Sequence, residues 1–253
     1  MLQSFFSANR RLCRLIEDAL PRHFVRSFNR MFTQTAARYV NGSRGAAVVD
    51  IGAGRECHFL PFLAGDAAPV LIGVDIDEDE IRLNGDLAMR LVGDVAHGWM
   101  LAPASADFLI SRSVVEHIHD NRAYFANAAA ALRPGGYFIN LFPGRYAPFA
   151  LVNRLLPDAL ARRVLYFFHP HFRDPCGFKP YYDRCYYSAI RQMLEENGME
   201  VVELELRYYQ SLYCDFFVPL YLVSLGYDYL MYLLGVRNLA SQILLVARKK
   251  AAG

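Results

Sequence analysis

The sequence predicts an α/β fold: a doubly wound, largely parallel sheet with helices on both faces. Three observations predict it. Between 46 and 142, short near-continuous apolar runs alternate with stretches of helical character, which is how a parallel sheet covered on both sides reads. The first run closes on the glycine turn Gly52-Ala53-Gly54. The first three runs each end on an aspartate: Asp50, Asp75 and Asp94.

The strands follow in order. AAVVDI (46–51) is the first, PVLIGVDI (69–76) the second, MRLVGD (89–94) a weaker third, ADFLISR (106–112) the fourth and GYFINLF (136–142) the fifth. Stretches 55–65 and 114–132 read as intervening helices. SAIRQMLEENG (188–198) reads as a helix stopped by Gly198. MEVVELEL (199–206) and SQILLVARK (241–249) return to strand patterns. Two blocks break the alternation, an aromatic and Arg-rich one at 143–187 and an apolar one at 207–240. Each follows a strand, on the side of the sheet where open α/β folds bind ligands, so both are candidate substrate walls, lids or a homodimer interface. Residues 1–44 form a separate basic segment, with eight Arg against Glu17 and Asp18. Its apolar residues keep helical spacing, as a helix docked on the domain or on a membrane face requires.

At 253 residues, with 54% hydrophobic and 21% charged residues, the chain can bury one large core and is neither disordered nor fibrous. A net charge of +2 gives no electrostatic case for nucleic acid. Five cysteines without CxxC spacing argue against a disulfide framework or zinc knuckle and point to a reducing cytoplasm. The start lacks an apolar signal core. In 212–236 the longest uncharged stretch runs only from Phe216 to Tyr227, short of the ~20 residues a bilayer needs. The expected location is therefore cytoplasmic, either free or peripheral to the inner face of the membrane.

The sharpest motif is Val48-Val49-Asp50-Ile51-Gly52-Ala53-Gly54. A strand running into glycines lets backbone approach a ligand and aims the next helix at it. A nicotinamide site is the default rival. However, the third glycine of that pattern is replaced by Cys57, and Asp50 would repel a pyrophosphate where it suits an ammonium. Asp75 falls where an acid grips ribose hydroxyls, and Asp94 can accept from an exocyclic amine. The three acids describe a ligand with an amine, a ribose diol and an adenine, and no phosphate: S-adenosylmethionine.

With VVDIGAG (48–54), IGVDI (72–76), VGD (92–94), ADFLISRSVVEHIHD (106–120) and ALRPGGYFIN (131–140) in this order and spacing, the chain resembles the class I S-adenosylmethionine-dependent methyltransferases, in the group that acts on quinones, sugars and other small molecules. The resemblance implies a seven-stranded Rossmann-like sheet with the last strand antiparallel, a methyltransferase domain over 45–253, and S-adenosylmethionine as cofactor with S-adenosylhomocysteine as product. It also implies that Asp50, Gly52, Ala53 and Gly54 face the methionine part, that Asp75 binds the ribose, and that Ile76 packs on the adenine. Asp94 and the backbone of Val95 would read the adenine edge, and Ser111 would join the cofactor site. Glu56 departs from the glycine the family often carries at that position.

An oxygen acceptor must lose a proton, so a histidine within hydrogen-bond reach is the expected base. His117 follows the fourth strand and is the first candidate. His169 and His171 lie in the first insertion, from which a closing lid can donate them. No metal site is expected: His169 and His171 with Asp174 and Cys176 offer only loose ligand chemistry. Ser111-Arg112-Ser113-Val114 is neither an Asn/Asp-Pro-Pro-aromatic nor a Pro-Cys motif, which argues against nucleic-acid substrates. The aromatic insertions favour a small-molecule, glycan or glycolipid acceptor, methylated on a hydroxyl. Carbon or nitrogen methylation of a quinone-like ring or amine, a non-catalytic subunit of the same fold and a nicotinamide oxidoreductase are the alternatives.

Overall fold

A computed structural model of the chain describes residues 2–64, 68–97, 99–169 and 178–251. Its centre is one seven-stranded sheet, β1 (Ala47–Ile51), β2 (Val70–Asp75), β3 (Met89–Val92), β4 (Ala106–Arg112), β5 (Leu132–Pro143), β6 (Met199–Arg207) and β7 (Gln242–Lys249). The spatial order is β3-β2-β1-β4-β5-β7-β6. β1 to β5 run parallel, and only β7 runs antiparallel to its neighbours β5 and β6. The seven-stranded sheet with an antiparallel last strand is therefore the fold of this chain.

The helices are α1 (Leu2–Ala19), α2 (Arg22–Val25), α3 (Phe28–Val40), α4 (Glu78–Arg82), α5 (Asn121–Ala131), α6 (Pro148–Leu155), α7 (Asp158–Phe168), α8 (Tyr187–Glu196) and α9 (Val218–Leu234). Successive strand residues feed opposite faces. Val49, Ile51 and Leu109 join Tyr124, Phe125, Ile190 and Met193 in one core layer. Val48, Phe108 and Ile110 join Phe28, Phe32 and Ile81 in the other. Burial on both faces is why these strands read as unbroken apolar runs.

Two sequence expectations change. The stretch 55–65 holds no α-helix among its described residues, only a 3-10 turn over Leu60–Phe62 with Pro61 in its first turn. Proline removes a backbone donor and restricts Leu60 before it. The glycine turn therefore aims loop backbone, not a helix end, at whatever binds there. Helix α5 starts only at Asn121, capped by the Asp120 side chain on Ala123 N. The basic segment 1–44 folds as α1, α2 and α3. Its α3 buries Phe28, Phe32, Ala36 and Val40 against the sheet, at roughly 2 kcal/mol for each large side chain.

Candidate active site

The strand order reverses beside β1, since β2 lies on one side of it and β4 on the other. A crevice forms at such a switch point, outside the carboxyl ends of the strands. A cavity of about 860 Å³ opens there. Of the sequence-predicted residues, Asp50, Gly52, Ala53, Gly54, Asp75, Ile76, Asp94, Val95 and His117 line it.

The glycine turn is fixed from several sides. Gly52 and Gly54 have φ of +68° and +47°, where side chains are strained. A Cβ on Gly52 would stand 2.3 Å from Val114 Cγ2, whereas one on Gly54 would meet nothing within 4 Å and faces open space. Gly54 N donates to Asp75 Oδ2 at 2.9 Å, and Asp77 N to Asp75 Oδ1 at 2.9 Å. From behind, Asn84 Nδ2 donates to the carbonyls of Ala53 and Gly54, both at 3.2 Å. Cys57 N donates to Asp86 Oδ2 at 3.0 Å. Asp94 turns its own loop by accepting from Ala96 N at 2.8 Å, and Asn127 Nδ2 holds the Val95 carbonyl at 3.0 Å.

Electrostatics single out Asp50. Burial pushes its carboxyl up to about 7, while the Cys57 thiol and the Arg112 guanidinium pull it back down and Asp75 and Asp86 add to the rise. Burial, and then Asp50 itself, push the Cys57 thiol up, so it stays protonated and donates to the carboxylate. Arg112 is lowered by its own burial and supported by Asp50 and Glu56. His58 Nδ1 lies 3.0 Å from Glu56 Oε1; burial, then Arg112, lower its pKa, and Glu56 opposes them. A buried carboxylate beside a half-buried guanidinium can take a zwitterion, an ammonium on one and a carboxylate on the other.

The opposite wall follows β4. Ser113 has φ +57°, an uncommon value for a non-glycine residue that marks local strain. Its N–H donates to Leu141 O at 2.8 Å. A 3-10 turn over Val115–His117 then presents His117 to the cavity. Burial lowers the His117 pKa against the opposing backbone of Lys179 and Phe178. Its Nε2 stands 3.9 Å from Glu116 Oε1. Glu116 is buried, with Oε2 lacking a hydrogen-bond partner, and burial pushes its carboxyl up to about 8. The Glu116 carbonyl accepts from Tyr181 N at 2.8 Å and Tyr182 N at 3.0 Å. That strap brings Phe178 and Tyr181 of the first insertion to the cavity, Tyr181 edge-on to the exposed His119.

Two predicted residues lie elsewhere. Ser111 is fully buried opposite Asn140 in the β4–β5 ladder and donates to Asn140 Oδ1 at 2.5 Å; its hydroxyl serves the sheet. His169 is buried at the end of α7, with Nε2 3.1 Å from the Tyr213 carbonyl, and does not line the cavity. His171 lies outside the described residues, as do Asp174 and Cys176. Sequence reasoning missed Arg112, His58, Cys57 and Asn84. Of these only Arg112, the last residue of a strand already read as ending at the site, carried a usable signal.

A family model described as a methyltransferase domain matches residues 7–204. A protein of Mycolicibacterium smegmatis named a probable S-adenosylmethionine-dependent methyltransferase is 30% identical over 112 residues, covering 43% of this chain and 42% of that protein. The chain thus accounts for under half the length of that relative. Phosphoethanolamine N-methyltransferase 2 of Haemonchus contortus, solved with S-adenosyl-L-methionine, superposes with a TM-score of 0.53 at 16% identity, over 86% of this chain and 52% of that one. A Haloferax volcanii methyltransferase solved with the Trm112 activator gives a TM-score of 0.56 at 17% identity, over 100% and 99% of the two chains. With the sheet order, the crevice and the match over most of its length, the chain belongs to the methyltransferase-domain family and has the fold of the class I S-adenosylmethionine-dependent methyltransferases.

Proposed function

We propose that this chain is an S-adenosylmethionine-dependent methyltransferase that methylates a hydroxyl oxygen of a small-molecule, glycan or lipid-linked acceptor. The observation that carries the reading is the set of groups around one cavity: Asp50, Asp75 and Asp94 at three strand ends, Arg112 beside Asp50, and His117 on the far wall. The donor set fits the cofactor. Asp50 and Arg112 match the two charges of an amino-acid moiety, and Asp75 matches a ribose diol. Ile76, a large aliphatic side chain 59% exposed, offers an apolar surface for a base next to Asp94. When bound, the cofactor supplies an electrophilic methyl group on a sulfonium.

The chain's own residues then have three tasks. The carboxylates and Arg112 hold the donor in one orientation, so that the acceptor oxygen attacks opposite the departing sulfur. Phe178 and Tyr181 flank the acceptor end and exclude water. His117, kept neutral by burial, takes the hydroxyl proton as the new oxygen–carbon bond forms. A neutral imidazole in the cavity wall is what supports an oxygen acceptor.

Calorimetric titration with S-adenosylhomocysteine, run beside NADH and an Asp75→Ala control, tests the reading. Micromolar binding by the native chain, lost in the variant, upholds it; NADH binding in its place overturns it. Transfer of a carbon-13-labelled methyl group into aqueous and lipid extracts then separates oxygen from nitrogen or carbon products by the chemical shift of the transferred methyl.

A further inference from the structure

We propose that α1, α7 and α9 form one platform that docks this chain on an anionic membrane surface, beside the cavity mouth. This goes beyond the methyltransferase reading and does not depend on it. The sequence of α9, VPLYLVSLGYDYLMYLL, has Asp228 as its one charged residue. Asp228 is fully buried and accepts from Gln210 N at 2.8 Å, from Ser211 N at 3.0 Å and from Ser211 Oγ at 2.6 Å. This bond set fixes which side of α9 faces the protein. The other side carries Leu222, Val223, Leu230, Leu233 and Leu234, exposed by 48, 72, 50, 63 and 62%. No charged group interrupts it. A helix facing water would carry charged and polar residues there.

The apolar surface continues across two more helices. On α1, Phe5, Ala8, Leu12 and Leu15 recur at three- and four-residue steps and are all exposed. On α7, Leu160, Val164 and Phe167 do the same. The helices are contiguous: Phe6 meets Phe167 at 6.1 Å and Phe216 at 6.2 Å, and Phe5 meets Phe217 at 6.5 Å. α1 also packs along α9, where Val218 N donates to Asn9 Oδ1 at 2.9 Å.

Charge selects the occupant. Arg11 and Arg14 on α1, Arg154 on α6 and Arg163 on α7 are exposed around this surface. Of the acids on the same helices, Glu17 is half-buried, Asp18 is exposed and Asp158 lies 3.9 Å from Lys179. Aliphatic insertion with an arginine fringe is the pattern of an interfacial helix on anionic lipid. Tyr229 and Tyr232, exposed by 43 and 37%, add the amphipathic rings that favour the headgroup level. A protein partner would meet hydrogen-bonding groups at about one per 100–200 Å², and the outer side of α9 offers almost none. The chain would lie on the bilayer, since among the described residues no helix is long and apolar enough to cross one. Docking would also orient the site: α6–α7 follow β5, α9 follows β6, and both strands run opposite to β7. The platform thus leaves the same sheet edge as the cavity.

Vesicle flotation tests this, with phosphatidylcholine vesicles against the same vesicles containing phosphatidylglycerol. The native chain should float with the anionic vesicles about tenfold more than with neutral ones, and added salt should reduce the difference. V223E/L230E/L233E, on side chains that touch solvent, should abolish flotation. R11E/R14E should remove the anionic preference. Both variants should keep the native melting temperature. Failure of the native chain to float with either vesicle overturns the proposal. So does a concentration-dependent dimer that the triple variant abolishes, since a second copy would then cover the face. S-adenosylhomocysteine binding measured on the same samples reads the cofactor site separately.

Discussion

The Asp75 carboxylate accepts 2.9 Å hydrogen bonds from the backbone N–H groups of both Gly54 and Asp77. It therefore joins the end of β2 to the glycine turn after β1 while facing the cavity. A group with two structural bonds and one exposed edge both shapes the site and binds in it.

Asp75→Asn keeps one carbonyl oxygen and loses the charge. A hydrogen bond to a charged group is worth about 1.5–3 kcal/mol, so S-adenosylhomocysteine affinity should fall about ten- to hundredfold, by calorimetry. Asp75→Ala should abolish binding and also lower the melting temperature, because Gly54 N and Asp77 N lose their acceptor. Native-like affinity in Asp75→Asn would remove Asp75 from the site.

Gly52→Ala combines a φ of +68° with a Cβ 2.3 Å from Val114 Cγ2. Strain and overpacking together should cost about 2–5 kcal/mol, read as a lower urea midpoint. Adding Val114→Ala removes the clashing methyl and should recover part of the loss. A double variant no better than the single one would show that the backbone conformation alone sets the cost.

The raised Asp50 carboxyl makes stability depend on pH. Unfolded, the group titrates near 4; folded, it titrates at about 7. The folded state binds more protons between those values, so stability falls as pH rises from about 4 to about 7, by on the order of 4 kcal/mol for this residue. Asp50→Asn should remove that part of the slope and leave the part due to Glu116. Binding of an ammonium has the opposite sense. Affinity for S-adenosylhomocysteine should tighten as Asp50 ionises through neutral pH, and the tightening should be absent in Asp50→Asn.

His117→Ala should lower kcat by about 10²–10⁴-fold for an oxygen acceptor with little change in S-adenosylhomocysteine affinity. The acidic limb of the native kcat profile should fall below pH 6.5, because burial lowers the His117 pKa. Turnover unchanged by this substitution would favour an amine acceptor, which needs no such base.

Much of the sheet was legible before any coordinates. Strand residues such as Val48, Val49, Leu109 and Ile110 are buried on both faces, and continuous apolar runs betray them. Asp50, Asp75 and Asp94 were legible for the same reason, as acids terminating apolar runs. The helix expected over 55–65 was misjudged because its apolar residues, Phe59 among them, are buried by the neighbouring layer. Burial there needs no helix.

The alternation of elements, the glycine turn and the acids that end the strands are local features, each set by residues within a few positions. Which residues become partners follows from the folded arrangement. It set Arg112 beside Asp50, seated Asn84 behind the Ala53 and Gly54 carbonyls, turned Ser111 toward Asn140 and His169 toward the Tyr213 carbonyl, and tied residues 181 and 182 to Glu116. Those contacts join residues remote in sequence through strand order and loop crossing. Local periodicity carries no record of which distant segment comes alongside.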